Sequence, residues 1–289
     1  MLRADAIATL YFFRPLRSLI SSGRCGVPIL MYHSISDSVE ASSKHPYYQT
    51  VTSPRVFEDQ MKFLRDNGFS SVGLGDAVRY LEAGGAGKIK PVVITFDDGF
   101  RDFLTNAFPV LERYGLSATM FLPTGFIGES TQRFKGIECL TWGEVRDLDR
   151  AGVEFGSHTV THRQLRDTAT EDVENEILHS KKTIEDHLDC GVTSFAYPFA
   201  FPETDRAFTE RLRGLLYEAG YENGVSTVIG TPSVSDDRFF LKRLPVNSFD
   251  DAKLFRAKLN GAYNWLHAVQ YAAKLRHSTH SVPAAHVEA

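Results

Sequence analysis

The segment "VVITFDDGF", Val92–Phe100, is apolar or β-branched from Val92 to Phe96 and then stops on two adjacent carboxylates and a glycine. An unbroken apolar run of this length reads as a strand buried on both faces. Ending such a strand on Asp97 and Asp98 is costly unless something compensates the charge. Two compensations fit. A helix beginning near Phe100 would favour acids at its N-terminus, or the pair could serve a site. One aspartate suits the cap; two followed by Gly99 suit the site better.

Similar runs recur along the chain: "PILMYHSI" (28–35), "SVGL" (71–74), "SATMFLP" (117–123), "VEFGSH" (153–158), "TSFAYPF" (193–199), "ENGVST" (222–227) and "FFLKRLPV" (239–246). Amphipathic segments lie between them. "SPRVFEDQMKFLRDNG" starts with an N-cap Ser53, has Pro54 at the first helical position and stops at Gly68. "FRDFLTNAFPVLERYG" stops at Gly115 and "TWGEVRDLDRAG" at Gly152. In "TATEDVENEILHSKKTIEDHL", Val173, Ile177, Ile184 and Leu188 keep helical spacing, and Thr168 and Glu171 have the spacing of a capping box. Strand–helix alternation of this kind implies a parallel sheet with right-handed crossovers. With so many units in one chain, the expected fold is α/β and a closed or nearly closed barrel. No GxGxxG or GxxxxGK loop follows a strand, so nucleotide-binding readings have no support.

In a β/α barrel, functional residues belong at the C-terminal strand ends. The polar residues there are Tyr32–His33, Asp97–Asp98, Ser157–His158, Tyr197–Pro198 and Arg243, all expected on one face. "GSHTVTHRQL", Gly156–Leu165, adds a second imidazole, His162, four residues after His158. That spacing would place both rings on one side of a helical turn, although ten histidines in 289 residues make such a pair unremarkable by itself. With one aspartate, the two histidines complete the three-ligand pattern of a catalytic zinc that keeps a position open for water. Cobalt and nickel suit the same donors. The second aspartate could then take the proton from that water.

"TFDDG" with "SHTVTH" resembles the polysaccharide deacetylases of carbohydrate esterase family four, the NodB-homology domain. The likeness extends from "ILMYHSI" through "FAYPF", about Pro28 to Val246. It implies a single-domain, distorted (β/α)7 barrel at 27–258, with an N-terminal extension at 1–26 and a C-terminal helix and tail at 259–289. It also implies metal-dependent removal of acetyl groups from N-acetylhexosamine units of a glycan. By this resemblance Asp97 is the catalytic base. Asp98, His158 and His162 hold the metal, and the backbone N–H of Phe199, after Pro198, is the oxyanion donor.

Two features depart from the family pattern. Ala196 stands where many members carry an arginine that orients the base, and the late strand "FFLKRLPVN" lacks a Leu-x-His acid. Arg243 is the candidate replacement for the arginine, and His33 for the acid. Trp142 and Tyr197, with Pro198, are candidate substrate contacts, Trp142 having packing at a helix start as its alternative. An O-acetyl esterase, a non-sugar amidase or a glycan-binding protein with a relic site are rival functions.

Composition bounds the rest. Hydrophobic residues at 43% and charged residues at 24% are ordinary for a globular protein. A net charge of -4 argues against nucleic acid as the main partner. Cys25, Cys139 and Cys190 form neither a disulfide framework nor a thiolate site, and their odd count leans toward a reducing, cytoplasmic setting. Near the N-terminus, Arg3, Arg14 and Arg17 with Leu10, Phe13, Leu16 and Ile20 could form a helix on a membrane surface or pack as an ordinary one. A final helix over about Phe249–Arg276 is expected to pack Phe255, Leu259, Ala262, Leu266 and Val269 on the barrel, ahead of a frayed tail.

Overall fold

Seven parallel strands close into a ring in the computed structural model, which describes residues 3–16, 26–38, 49–85 and 89–278. They are β1 (Ile29–Tyr32), β2 (Lys90–Phe96), β3 (Thr119–Leu122), β4 (Glu154–Ser157), β5 (Ser194–Ala196), β6 (Asn223–Ile229) and β7 (Leu241–Pro245). From β2 to β7 each strand pairs with the next in sequence. β1 then pairs with β7 through Leu30↔Leu244 and with β2 through Tyr32↔Phe96, closing the barrel. Because every pair in the ring is parallel, all C-terminal ends share one rim. The register shift between β6 and β7 at Val225 to Ile229 breaks the symmetry of that rim.

Residues Phe69–Ser71 form a short strand on the outer part of β2, outside the ring. The expected strand at 71–74 is therefore displaced. Gly73 is the N-cap of a helix, Leu74–Glu82, that buries Leu74, Ala77 and Leu81 at helical spacing. Those residues pack with Val27, Ile29, Val93, Phe121, Ala196, Val225 and Leu241, so the helix plugs the N-terminal end of the barrel. The neighbouring strand residues Leu30, Val92, Ile94, Phe96, Met120 and Leu122 belong to the larger outer core instead. This two-residue alternation runs inside fully buried strands. It sends Val93, Thr95 and Asp97 up the barrel interior, as it does Ile29, Met31 and His33.

The outer helices begin and end largely where their sequences specify. Ser53 accepts a hydrogen bond from the Val56 amide at the start of Pro54–Asp66, and Gly115 ends Phe108–Tyr114 at φ 63°. Thr141 and Glu144 form a capping box at the start of Trp142–Arg150. The expected box at Thr168 and Glu171 does not form. The N-cap of Thr170–Leu188 is Ala169, and the Thr168 hydroxyl donates to the Gln164 carbonyl at 3.0 Å.

The expected last helix is two helices, Ala252–Leu259 and Leu266–Ser278, with Gly261 at φ 71° between them. Phe255, Leu259, Ala262 and Leu266 are buried as expected, but Val269 is 48% exposed, because the second helix turns toward the barrel mouth.

At the N-terminus, Ala4–Ala8 continues into a π-helical turn, Thr9–Phe13. One side is docked on the protein: Tyr263 donates to Asp5 at 2.6 Å, Trp265 donates to Thr9 at 3.0 Å, and the Phe13 and Trp265 rings stack at 4.7 Å. Tyr11, Phe12 and Leu16 face solvent. Arg17, Ile20, Cys25 and most of the tail lie outside the described residues. Among those described, no helix is long and apolar enough to cross a membrane.

Gly156 in β4 tests the packing that carries His158. A Cβ there would lie 2.5 Å from the Phe121 ring and 2.9 Å from the Ser194 carbonyl oxygen. Gly156→Ala should therefore lower the unfolding free energy by about 1–3 kcal/mol in urea titrations. Unchanged stability would contradict this β3–β4–β5 contact.

Candidate active site

Asp97 ends the interior row of β2 and Arg243 sits inside β7 across the barrel, both almost wholly buried. The guanidinium donates to both carboxylate oxygens at 2.7 Å. It also donates to the Ser226 carbonyl at 3.0 Å and the Thr95 hydroxyl at 3.2 Å, so its fork is fixed from two sides. Burial alone would raise the Asp97 pKa. The Arg243 charge, followed by His158, outweighs that and holds the carboxyl at about 2. The expected role of Arg243 as a partner for Asp97 thus has its geometry, in a chain whose Ala196 leaves no side chain to do the same. His33 comes in from β1, its Nε2 lying 3.8 Å from Asp97 Oδ2. Burial lowers the pKa of His33, against the pull of Asp97 and Asp98.

Asp98, His158 and His162 form the second half. Their ligand atoms lie within 4.8 Å of one another, and all three residues are buried. His158 Nδ1 faces the Ala196 carbonyl at 2.7 Å, which fixes the protonated nitrogen and leaves Nε2 to the site. Burial lowers the His158 pKa to about 4, so its ring is neutral, as a metal ligand requires. Asp98 Oδ1 lies 3.2 Å from His162 Nε2 and 3.8 Å from His158 Nε2. It is buried and makes no well-directed hydrogen bond. An orphaned carboxylate oxygen facing two imidazole nitrogens is the environment that a divalent cation satisfies. The donor set fits a metal.

The two histidines do not share a helical turn, contrary to the spacing argument. A loop brings them together, with Thr159 at φ 68° and His162 at φ 53°. Glu176, missed in the sequence, holds that loop: it accepts from the amides of Val160 and Thr161 at 2.8 Å and from the Thr161 hydroxyl at 2.5 Å. Thr159 accepts the His162 amide at 3.0 Å. Glu176 shares a helix face with Val173, Ile177 and Ser180, so its carboxylate was hidden in an apolar stripe.

Lys135 is the other residue the sequence did not signal. It occupies a left-handed position in the turn between the short strands Arg133–Phe134 and Ile137–Glu138, and its ammonium donates to Asp98 Oδ2 at 3.0 Å. Six non-glycine residues have positive φ among those described: Asp98, Lys135, Thr159, His162, Phe199 and Asp189. All but Asp189, a helix C-cap, surround this site. Backbone strain of this kind persists where surrounding structure enforces it and concentrates at functional positions.

A cavity of about 710 Å³ opens over these groups, within the range of small-ligand sites. Its apolar wall includes Met31, Tyr197, Phe199, Ile229, Pro245 and Val269. Phe199 packs its ring on His162 at 4.7 Å, its backbone turned to φ 58°. Tyr197 is buried with its hydroxyl unpartnered, and Pro198 is buried beside it. Trp142 does not reach the cavity. It is 4% exposed and stacks on His187 at 3.9 Å, because its place at a helix start turns the indole onto the neighbouring helix. Trp142 is thus a packing residue, and the expected sugar contact is corrected. Phe201 is also core, between Tyr197 and Phe240.

Residues 84–224 match the family model described as polysaccharide deacetylase. YxkH of Bacillus subtilis (strain 168), provisionally named a polysaccharide deacetylase, is 30% identical over 223 residues, which cover 76% of this chain and 71% of YxkH. The chain belongs to the polysaccharide deacetylase family. Another member of similar sequence is the poly-beta-1,6-N-acetyl-D-glucosamine N-deacetylase of Staphylococcus aureus (strain MSSA476). It is 25% identical over 205 residues, or 68% of this chain and 67% of that protein. Among solved structures, the Streptococcus pyogenes deacetylase PplD in complex with acetate matches with a TM-score of 0.68 at 23% identity. The match covers 82% of this chain and 99% of PplD and bears on the fold.

In this polysaccharide deacetylase, removing one partner of the Asp97–Arg243 pair leaves a buried charge. Arg243→Met should cost about 3–5 kcal/mol of stability. Adding Asp97→Leu should return much of that loss in a double-mutant cycle. Additive losses would show that the two charges are not coupled.

Proposed function

We propose that the protein is a metal-dependent deacetylase that hydrolyses the acetamide of N-acetylhexosamine units in a polysaccharide or its precursor. The observation that carries the reading is an ionised Asp97, clamped by Arg243, directly beside the buried Asp98, His158 and His162 donor set. The name of the Staphylococcus aureus relative supports the sugar class.

Asp98, His158 and His162 would hold the cation, zinc by donor chemistry, with cobalt or nickel suited to the same set. When bound, such a cation supplies a Lewis acid and lowers the pKa of water toward about 7. Asp97 is the base that takes the proton from the attacking water. Its two hydrogen bonds from Arg243 keep it ionised and fix its direction. The Phe199 backbone N–H stabilises the negative charge that develops on the acetyl oxygen. His33, 3.8 Å from Asp97, relays the proton that Asp97 took from the water to the departing amine. Tyr197, which lines the cavity, shapes the floor against which the acetyl group lies, with Pro198 buried beside it.

Acetate release from N-acetylglucosamine oligomers tests the reading, with chelator-stripped protein assayed before and after zinc addition. Zinc should restore release. Asp97→Asn should reduce it by about 10²–10⁴-fold while the protein keeps its metal. His158→Ala and His162→Ala should lose the metal. Folded, metal-loaded protein that frees no acetate from any oligomer would overturn the assignment. It would favour an O-acetyl ester, a non-sugar amide or simple glycan binding.

A further inference from the structure

Phe199 carries the N–H assigned to the acetyl oxygen, on a backbone turned to φ 58°. A non-glycine residue keeps that conformation only where its surroundings enforce it. Phe199 lies outside regular structure, since β5 ends at Ala196 and the next helix starts at Arg206. The enforcing contacts come from β6 and from the helix Leu266–Ser278.

Thr227 of β6 grips the turn with one oxygen. Its hydroxyl donates to the Phe199 carbonyl at 2.8 Å and accepts from the Phe201 amide at 2.9 Å. Peptide planes are rigid, so fixing the carbonyl on one side of the Phe199 Cα limits the rotation that would redirect the N–H on the other. Thr227 is itself braced. The register of β6 against β7 shifts between Val225 and Ile229. Within that irregularity the Gln270 side chain acts as a strand neighbour would: its nitrogen donates to the Thr227 carbonyl and its oxygen accepts from the Ile229 amide, both at 3.0 Å.

His267, Gln270 and Lys274 are spaced by three and four residues and share one helix face. His267 Nε2 meets Glu203 Oε2 at 2.7 Å, and Lys274 donates to Glu203 Oε1 at 2.8 Å. The Glu203 amide in turn donates to the Phe201 carbonyl at 3.0 Å. The helix therefore reaches the Phe199 turn along two routes, through Thr227 and through Glu203.

We propose that Thr227 and Gln270 are positioning residues, which hold the Phe199 turn so that its N–H is aimed at the acetyl oxygen before charge develops there. An oxyanion donor is effective because its direction is set in advance, and here the helix Leu266–Ser278 sets it. The proposal rests on the deacetylase reading.

Steady-state kinetics of zinc-loaded protein on the N-acetylglucosamine tetramer test this with Thr227→Val, Thr227→Ser and Gln270→Leu. Valine keeps the shape of threonine without its hydroxyl, and serine keeps the hydroxyl. Thr227→Val should retain its metal and its KM while kcat falls by about 10–100-fold, the signature of a misaimed group that acts only in the transition state. Thr227→Ser should recover most of that loss. Gln270→Leu should also lower kcat, and the double variant should lose less than the product of the single losses, because both residues act through one turn. Unchanged kcat, equal losses in the valine and serine variants, a rise in KM alone, or multiplicative losses would overturn the proposal. Amide hydrogen exchange separates the clamp from the reaction. The Phe201 amide should exchange about tenfold faster in Thr227→Val, the worth of one hydrogen bond. If the wild type frees no acetate, that faster exchange keeps the clamp and overturns the deacetylase reading. Unchanged exchange overturns the clamp.

Discussion

The bidentate contact between Arg243 and Asp97 spans the interior of the barrel and joins its seventh strand to its second. Neither charge is stable there alone. Each is tolerable only because the other meets it at 2.7 Å on both oxygens. The contact depends on barrel closure, since β1 lies between the two strands and must pair with both. It also bears on the chemistry, because a carboxyl held at about pKa 2 is ionised at neutral pH. The proposed base is thus built from the barrel lining itself, so the fold and the proposed reaction share one electrostatic constraint.

Around that fixed pair, the side that carries the candidate metal ligands is made from less regular chain. Asp98 and His162 have left-handed backbones, and a carboxylate from a neighbouring helix, Glu176, satisfies the amides that the loop between the histidines leaves open. Strained backbone of this kind costs about 1–3 kcal/mol at each residue. The packed strands below, buried on both faces, supply the rigidity that holds it. The site therefore combines a stiff carboxylate with candidate ligands on an enforced loop, and each part has its own support.

Much of this was legible in the sequence because the signal was local. Val92–Phe96 reads as a strand buried on both faces, and the rule that a β/α barrel gathers its functional residues at the C-terminal strand ends put Asp97, His33 and Arg243 on one face. What failed did so where a residue's role depends on a distant partner. Glu176 looks like a polar intrusion on an apolar helix face until the loop of residues 159–162 is seen lying over it. Lys135 reaches Asp98 only through a turn whose conformation the residues Lys135–Gly136 alone do not specify. Trp142 had two plausible partners, and His187 on the neighbouring helix captured its ring. The helical period over 249–276 hid the break at Gly261, and with it the turn that brings Val269 to the cavity.

The central claim is that Asp98, His158 and His162 hold one cation while Asp97 stays outside its coordination sphere on Arg243. Anomalous diffraction at the zinc edge, from crystals of zinc-loaded protein, tests this most directly. A single peak about 2.0–2.2 Å from Asp98 Oδ1 and from Nε2 of both histidines, with the Asp97–Arg243 contact intact, is the result this account predicts. A peak coordinated by Asp97, or one that leaves either histidine unbound, would contradict it.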